Sequence, residues 1–142
     1  MTTACFDSSA FVKLLVEEDG SDHAERIWNE ADSVVASRLA LPEVSAALAA
    51  AHRASRLDDS SLTAARREWS RFWAATDVIE LTDSVATDAS RLAGRLVLGG
   101  ADAVHLASAL TLQAAGPVLV TWERRLAVAA ASAGVAVTPS DF

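Results

Sequence analysis

Four acidic residues stand where predicted strands end or predicted helices begin: Asp7, Glu43, Asp102 and Glu123. Asp7 follows the apolar run TTACF, and Glu123 comes two residues after VLVT. Glu43 follows Pro42 in the first turn of a predicted helix, and Asp102 opens a helical pattern. In a parallel sheet, the carboxyl ends of strands and the N-termini of the following helices share one edge. We therefore expect these carboxylates to converge.

Convergence of carboxylates carries an electrostatic cost. Two carboxylates about 5 Å apart repel by roughly 3 kcal/mol at an effective dielectric of about 20. Hard divalent cations bound by oxygen ligands are the usual compensation. The pattern therefore predicts a Mg²⁺ site at which Mn²⁺ substitutes. Zinc is not indicated, because His23, His52 and His105 are far apart in sequence and no HExxH motif occurs.

Each acid also has a purely structural interpretation. In GGADAVHLASAL, Ala103, Leu106, Ala107 and Leu110 recur at helical spacing, so Asp102 is expected at a helix N-terminus. A capping carboxylate there accepts a free amide and stabilises the helix by roughly 0.5–2 kcal/mol. Taken alone, capping is the commoner role for such a residue. Only the conjunction of the four acids favours metal binding.

The segments between these acids predict an α/β fold. The strand-like runs TTACF, SVVAS, VIEL, VLVT and VAVT are separated by helical patterns. Strands separated by helices imply right-handed crossovers and a parallel sheet. We expect one domain spanning residues 1–142, a three-layer α/β/α sandwich with a central, mainly parallel sheet of about five strands. The predicted helix starts are Ser21 or Asp22, Pro42, one of Asp58, Asp59 and Ser60, and Thr82.

Composition bounds the class of protein. The 142 residues are 51% hydrophobic, which is enough for a real core. A net charge of -7 argues against broad nonspecific adhesion to nucleic acid. Cys5 is the only cysteine and is predicted to be a small buried hydrophobe. Neither a secretory signal pattern nor a membrane-spanning apolar run is present, so a soluble cytoplasmic protein without membrane association is expected.

The motifs around the four acids resemble those of the PIN-domain ribonucleases, most closely the VapC-type toxins of bacterial toxin-antitoxin pairs. The resemblance covers nearly the whole chain and rests on DSSAFVKLL at Asp7, PEVSAAL at Glu43, GADAVHLASAL at Asp102 and VTWERRL at Glu123. It implies a PIN-like fold and a metal-dependent endoribonuclease in which these acids bind one or two Mg²⁺ or Mn²⁺ ions. A metal-activated water would attack the phosphorus, leaving a 5′-phosphate and a 3′-hydroxyl.

One position departs from the family pattern. The family's fourth acid is usually Asp in a T-x-D pattern, whereas Glu123 follows Thr121 and Trp122 here. The extra methylene moves the carboxylate outward unless the backbone compensates, so the first metal is the firmer expectation. Ser8 and Thr121 resemble hydroxyl residues that stand beside the metal in the family. Each is expected either to orient a ligand or water, or to cap a helix.

The resemblance also implies partners: an RNA substrate, a cognate VapB-type antitoxin whose C-terminal segment covers the acidic pocket, and a second copy of the chain in a homodimer. Candidate phosphate contacts are Arg38, Arg53, Arg56, Arg67 and Arg71. A solvated helix surface explains these arginines equally well.

His105, one turn after Asp102, is expected to be structural rather than a general base, because the metal already supplies the nucleophile.

Other functions that place acids at strand ends fit poorly. A phosphoacceptor receiver needs a lysine late in the chain, whereas Lys13 is the only lysine. A haloacid-dehalogenase-type phosphatase needs a second Asp at position 9, where Ser9 stands. No P-loop and no GxSxG motif occurs. The remaining alternative is a catalytically weak PIN-like domain that binds a protein or RNA, and Glu123 is the feature that keeps it open.

Overall fold

The computed structural model describes residues 1–140, in which five strands form one sheet. The strands are β1 (Thr3–Phe6), β2 (Ser33–Ser37), β3 (Asp77–Ile79), β4 (Val118–Val120) and β5 (Ala136–Thr138). The helices are α1 (Ser8–Leu15), α2 (Ser21–Glu30), α3 (Ala40–Arg53), α4 (Asp59–Ala74), α5 (Asp83–Arg95), α6 (Gly100–Leu110) and α7 (Arg124–Ser132). All neighbouring strands pair in parallel, in the order β3-β2-β1-β4-β5. The predicted parallel α/β architecture is confirmed.

Side chains that alternate along the strands pack into two separate cores, one on each face of the sheet. In β1, Phe6 packs into a core shared with α1, α3 and α4, whereas Cys5 faces a core shared with α5, α6 and α7. In β4, Val120 and Leu119 divide in the same way. This period of two is the geometry of a sheet covered on both faces. Burial, with the nearby charge of Asp7, raises the pKa of Cys5 to about 12, which fits the predicted buried hydrophobe.

An aromatic cluster anchors the helix that follows β1. Phe11 of α1 is fully buried, with its ring centroid 5.2 Å from that of Phe6 and 4.9 Å from that of Trp69. Full burial of an aromatic ring stabilises a fold by roughly 1.5–3 kcal/mol. The start of α1 is therefore held firmly at the sheet edge.

The sheet has its topological switch point between β1 and β4. The helices after β1 and β2 pack in one core, and those after β3 and β4 pack in the other. At the switch point, the backbone amide of Asp7 donates to the carbonyl of Val120 at 3.2 Å. Crevices at such points are where ligands bind in open α/β sheets. The fold therefore places Asp7 at the centre of the candidate edge.

The predicted helix starts are partly correct. Asp58 and Thr82 each accept a first-turn backbone amide, as expected of caps. The cap predicted at Ser21 or Asp22 is wrong, because α2 begins after Gly20 without a side-chain cap. The Ser21 hydroxyl instead donates to a backbone carbonyl of the preceding turn. The structure also places the start of α3 at Ala40, ahead of Pro42.

Between residues 1 and 140, the structure contains no helix with the length and apolar character needed to cross a membrane.

Candidate active site

Asp7 lies directly after β1 and is held by three hydrogen bonds. Its Oδ1 accepts from the Ala10 amide at 3.0 Å and from Ser9 Oγ at 2.7 Å, and its Oδ2 accepts from Thr121 Oγ1 at 2.6 Å. The residue is 2% exposed. Burial raises the pKa of Asp7 above its ordinary value, although the charge of His105 and these hydrogen bonds oppose the rise. The carboxylate thus caps α1 and is fixed in orientation at the sheet edge.

Glu43 forms an ion pair with His105 beside Asp7. Glu43 Oε1 accepts from Ser8 Oγ at 2.6 Å and lies 2.6 Å from His105 Nε2. The Glu43 side chain is 32% exposed and that of His105 is 4% exposed. Burial is the largest single influence on both groups and opposes their charge, but the hydrogen bonds and neighbouring charges together outweigh it, so the pKa of Glu43 is lowered and that of His105 is raised. An imidazole with a raised pKa therefore faces the acids.

Asp102 is the third residue of α6 and does not cap the helix. The helix begins after Gly99 without a side-chain cap, and no donor within residues 1–140 hydrogen bonds to the Asp102 carboxylate. Burial and the charge of Glu43 raise the pKa of Asp102, while the charge of His105 opposes the rise. The capping interpretation is wrong for this residue. Asp102 is a half-buried carboxylate without a protein donor, close enough to Glu43 to feel its charge.

Glu123 lies at the rim rather than inside this cluster. It is the residue before α7, its side chain is exposed, and it does not cap that helix. Its backbone amide donates to Thr121 Oγ1 at 2.9 Å. Because Thr121 also donates to Asp7, the Glu123 backbone is tied to the edge. Ser8 and Thr121, the two predicted hydroxyl residues, thus both contact an acid of the cluster.

The predicted phosphate contacts are dispersed. Arg38 is exposed and forms an ion pair with Glu80. Arg53 lies ten residues beyond Glu43 in α3, a displacement of about 15 Å along the helix axis. The remaining candidates, also exposed, are Arg56, Arg67 and Arg71. The geometry brings none of these arginines into contact with Asp7, Glu43 or Asp102 among the residues described.

Sequence reasoning missed the roles of Ser9 and His105 at the site. Ser9 Oγ donates to Asp7 and accepts from the Trp122 amide at 2.9 Å, which links α1 to the segment after β4. The run DSS offered a signal, because either hydroxyl after Asp7 can turn toward the edge. His105 was expected to be structural, and its spacing of three from Asp102 placed both on one helix face. Nothing in the sequence around His105 indicated that Glu43 is its hydrogen-bond partner.

The donor set fits a hard divalent cation in its chemistry. Carboxylate oxygens are the preferred ligands of Mg²⁺ and Mn²⁺, and within residues 1–140 neither Asp102 nor Glu43 Oε2 has a hydrogen-bond donor. The described His, Cys, Asp and Glu side chains form no preformed group of three or more ligands. A cation bound among these carboxylates would relieve the repulsion between Glu43 and Asp102.

Comparisons with known proteins identify the family of this chain. Residues 4–131 match the PIN domain. Over 142 residues the chain is 51% identical to Ribonuclease VapC45 of Mycobacterium tuberculosis (strain CDC 1551 / Oshkosh), with 100% of this chain and 99% of that protein covered. The same identity and coverage hold for Ribonuclease VapC49 of Mycobacterium tuberculosis (strain ATCC 25618 / H37Rv).

Solved structures share the fold. PAE2754 from Pyrobaculum aerophilum has a TM-score of 0.70 at 22% identity, covering 96% of this chain and 83% of that chain. A chain of a toxin-antitoxin complex from Klebsiella pneumoniae has a TM-score of 0.61 at 18% identity, covering 87% and 89%. At these identities the likeness concerns the fold alone. The family match and the two close relatives show that this chain belongs to the PIN-domain family, as its sequence motifs predicted.

Proposed function

We propose that this protein is an endoribonuclease that hydrolyses RNA phosphodiesters with Mg²⁺, for which Mn²⁺ substitutes, and that it is the toxin of a toxin-antitoxin pair. The observation that carries the proposal is that three acids surround one imidazole at the sheet edge: His105 contacts Glu43, and its charge acts on both Asp7 and Asp102. Both relatives that share 51% of this sequence are named ribonucleases. An acidic edge in such a chain favours metal-assisted hydrolysis over a purely structural role.

The proposed cation ligands are Asp7, Glu43 and Asp102, with Glu123 as a fourth ligand from the rim. When bound, the cation supplies an activated water and neutralises charge on the phosphate. The fixed orientation of Asp7 and Glu43 reduces the reorganisation needed on binding, since their hydrogen-bond partners already hold them. A bound cation would stabilise the charge of Asp102 more than that of the other ligands, because no donor among residues 1–140 offsets it.

Three side chains around the acids position them. Thr121 and Ser9 hold Asp7, and His105 holds Glu43. Nε2 of His105 is already engaged with Glu43 and the pKa of His105 is raised, so we assign it to orienting Glu43 rather than to accepting a proton from water. These contacts support the proposed division between acids that bind the cation and residues that orient them.

The partners follow from the same site. We propose that a VapB-type antitoxin silences the protein by covering the acidic edge with a cationic segment, and that the chain works as a homodimer in the cytoplasm. The structural neighbour from Klebsiella pneumoniae is a toxin-antitoxin complex. A net charge of -7 and an acidic edge both favour a basic partner segment.

Incubation of the purified full chain with RNA tests the proposal. We expect cleavage products with 5′-phosphate and 3′-hydroxyl ends, loss of cleavage in EDTA and recovery on addition of Mn²⁺. RNA binding without cleavage under every metal condition would overturn the enzymatic proposal. That result would instead support the catalytically weak PIN-like domain.

A further inference from the structure

A cationic groove lies beside the acidic edge, at the start of α7. Arg124 and Arg125 are the first two residues of this helix and are both exposed. With Leu96, Val97 and Val128 they line a cavity of about 290 Å³ between α7 and the segment that leads from α5 to α6. Among the residues described, no acidic side chain lines this cavity. We call it the Arg124–Arg125 groove.

The two arginines stand where the helix itself disfavours them. The N-terminus of a helix carries partial positive charge, so cations in the first turn are destabilising. No carboxylate within residues 1–140 forms an ion pair with either arginine to offset this cost. Positions that break a local preference without a compensating contact are frequently functional.

A second cavity lined by cationic side chains also contains several acids. A cavity of about 480 Å³ between α1, α2 and α4 contains Lys13 and Arg71. Its walls also carry Glu17, Glu25 and Glu68. Three carboxylates against two cations repel a phosphate backbone. This surface, which includes the predicted contact Arg71, is therefore the poorer site for RNA.

We propose that the Arg124–Arg125 groove binds the backbone phosphates of the RNA strand next to the bond that is cut. This inference rests on the proposed function, because it states where that substrate lies. The groove adjoins the acidic edge along the chain: Arg124 directly follows Glu123, and Leu96 and Val97 belong to the segment that leads to α6, which carries Asp102. Val97 is 80% exposed and Val128 is 64% exposed, so the groove also presents apolar surface beside its two charges. The arginines attract the RNA phosphates, which the acidic cluster by itself repels.

Fluorescence anisotropy with a labelled, mixed-sequence, single-stranded RNA oligonucleotide tests the groove. All variants are made in the full chain carrying Asp102→Asn, so that binding is measured without cleavage. Arg124→Gln with Arg125→Gln should weaken binding about tenfold and reduce the salt slope of log K by about 1.4, or about 0.7 for each lost contact. In the cleaving chain the same pair of substitutions should raise KM more than it lowers kcat.

The matched control removes the same charge elsewhere. Arg26→Gln with Arg66→Gln alters exposed residues of α2 and α4, which belong to the opposite helical layer, and should leave affinity and salt slope unchanged. Equal affinities and slopes for the two double variants would overturn the inference and leave the groove to an acidic protein partner. Absence of cleavage by the chain with Asp102 intact overturns the proposed function alone, because anisotropy reports binding independently of cleavage.

Discussion

Nε2 of His105 lies 2.6 Å from Oε1 of Glu43, across 62 residues of sequence. The contact joins α6 to α3 at the acidic edge, and Ser8 donates to the same carboxylate oxygen. Two donors on Oε1 fix the Glu43 carboxylate and leave Oε2 available to a cation. The orientation of one proposed ligand therefore depends on the helix that carries another, Asp102.

Replacement of His105 is expected to affect metal use more than folding. His105→Phe removes the donor to Glu43 and should reduce cleavage at limiting Mn²⁺ by about 10–100-fold, the usual effect of losing a residue that orients a metal ligand. His105→Gln keeps a donor and should recover part of the loss. Cleavage rates across a Mn²⁺ titration measure both variants. A His105→Phe protein with the wild-type Mn²⁺ dependence would contradict the positioning role.

The charge on the same pair predicts a pH window of stability. The pKa of Glu43 is lowered from 4.5 and that of His105 is raised from 6.5, so both groups are charged between these values. The contribution of the pair is lost as pH falls through the lowered pKa of Glu43, and as pH rises through the raised pKa of His105. In EDTA, the difference in Tm between wild type and His105→Gln should be largest in this window. A difference that does not vary with pH would refute the ion pair.

Asp102→Asn should stabilise the protein without metal. Because the folded pKa of Asp102 is raised, the folded state binds the proton more tightly than the unfolded state and loses stability as pH rises through that pKa. The substitution should therefore raise the Tm in EDTA at neutral pH and reduce the stabilisation by Mn²⁺.

Asp83→Asn, at the exposed first turn of α5, is the matched control. When an acid interacts only with the helix dipole, neutralising it lowers the free energy of unfolding by roughly 0.3–1 kcal/mol. We expect Asp83→Asn to show this loss. The same loss at Asp102 would restore the purely structural interpretation of that residue.

Glu123 is tested by two substitutions with different reach. Glu123→Gln removes the charge at nearly constant shape and should weaken Mn²⁺ binding, by less than Glu43→Gln, because the Glu123 side chain is exposed. Glu123→Asp keeps the charge but shortens the arm, and should shift the Mn²⁺ dependence of cleavage because the backbone amide is held by Thr121. Unchanged Mn²⁺ titrations for both variants would remove Glu123 from the site.

Local patterns predicted the elements of this fold better than their ends. The run SVVAS predicted both ends of β2 correctly, because its hydrophobic, largely β-branched centre is bounded by a serine on each side. In contrast, the start of α6 at Gly100, ahead of Asp102, depends on backbone geometry that two successive glycines leave open. The acids were predicted from the edge that they share, since strand order and helix direction determine which ends meet.

The supporting contacts lay beyond local patterns. Ser9 reaches the Trp122 amide across 113 residues, and His105 reaches Glu43 across 62. Such pairs depend on how α1 and α6 pack against the sheet, which periodicity does not specify. The family motifs marked the acids, and the hydrogen bonds that orient them required the structure.

The rate of RNA cleavage by Asp102→Asn, measured beside wild type at saturating Mn²⁺, tests the central claim most directly. The variant keeps the shape of the side chain and is expected to be folded and more stable in EDTA, so its Tm, measured on the same sample, separates a loss of activity from unfolding. The account predicts that the wild type cleaves RNA and that the variant shows no cleavage above background. Cleavage by Asp102→Asn at the wild-type rate would contradict the metal-dependent site at this edge of the sheet.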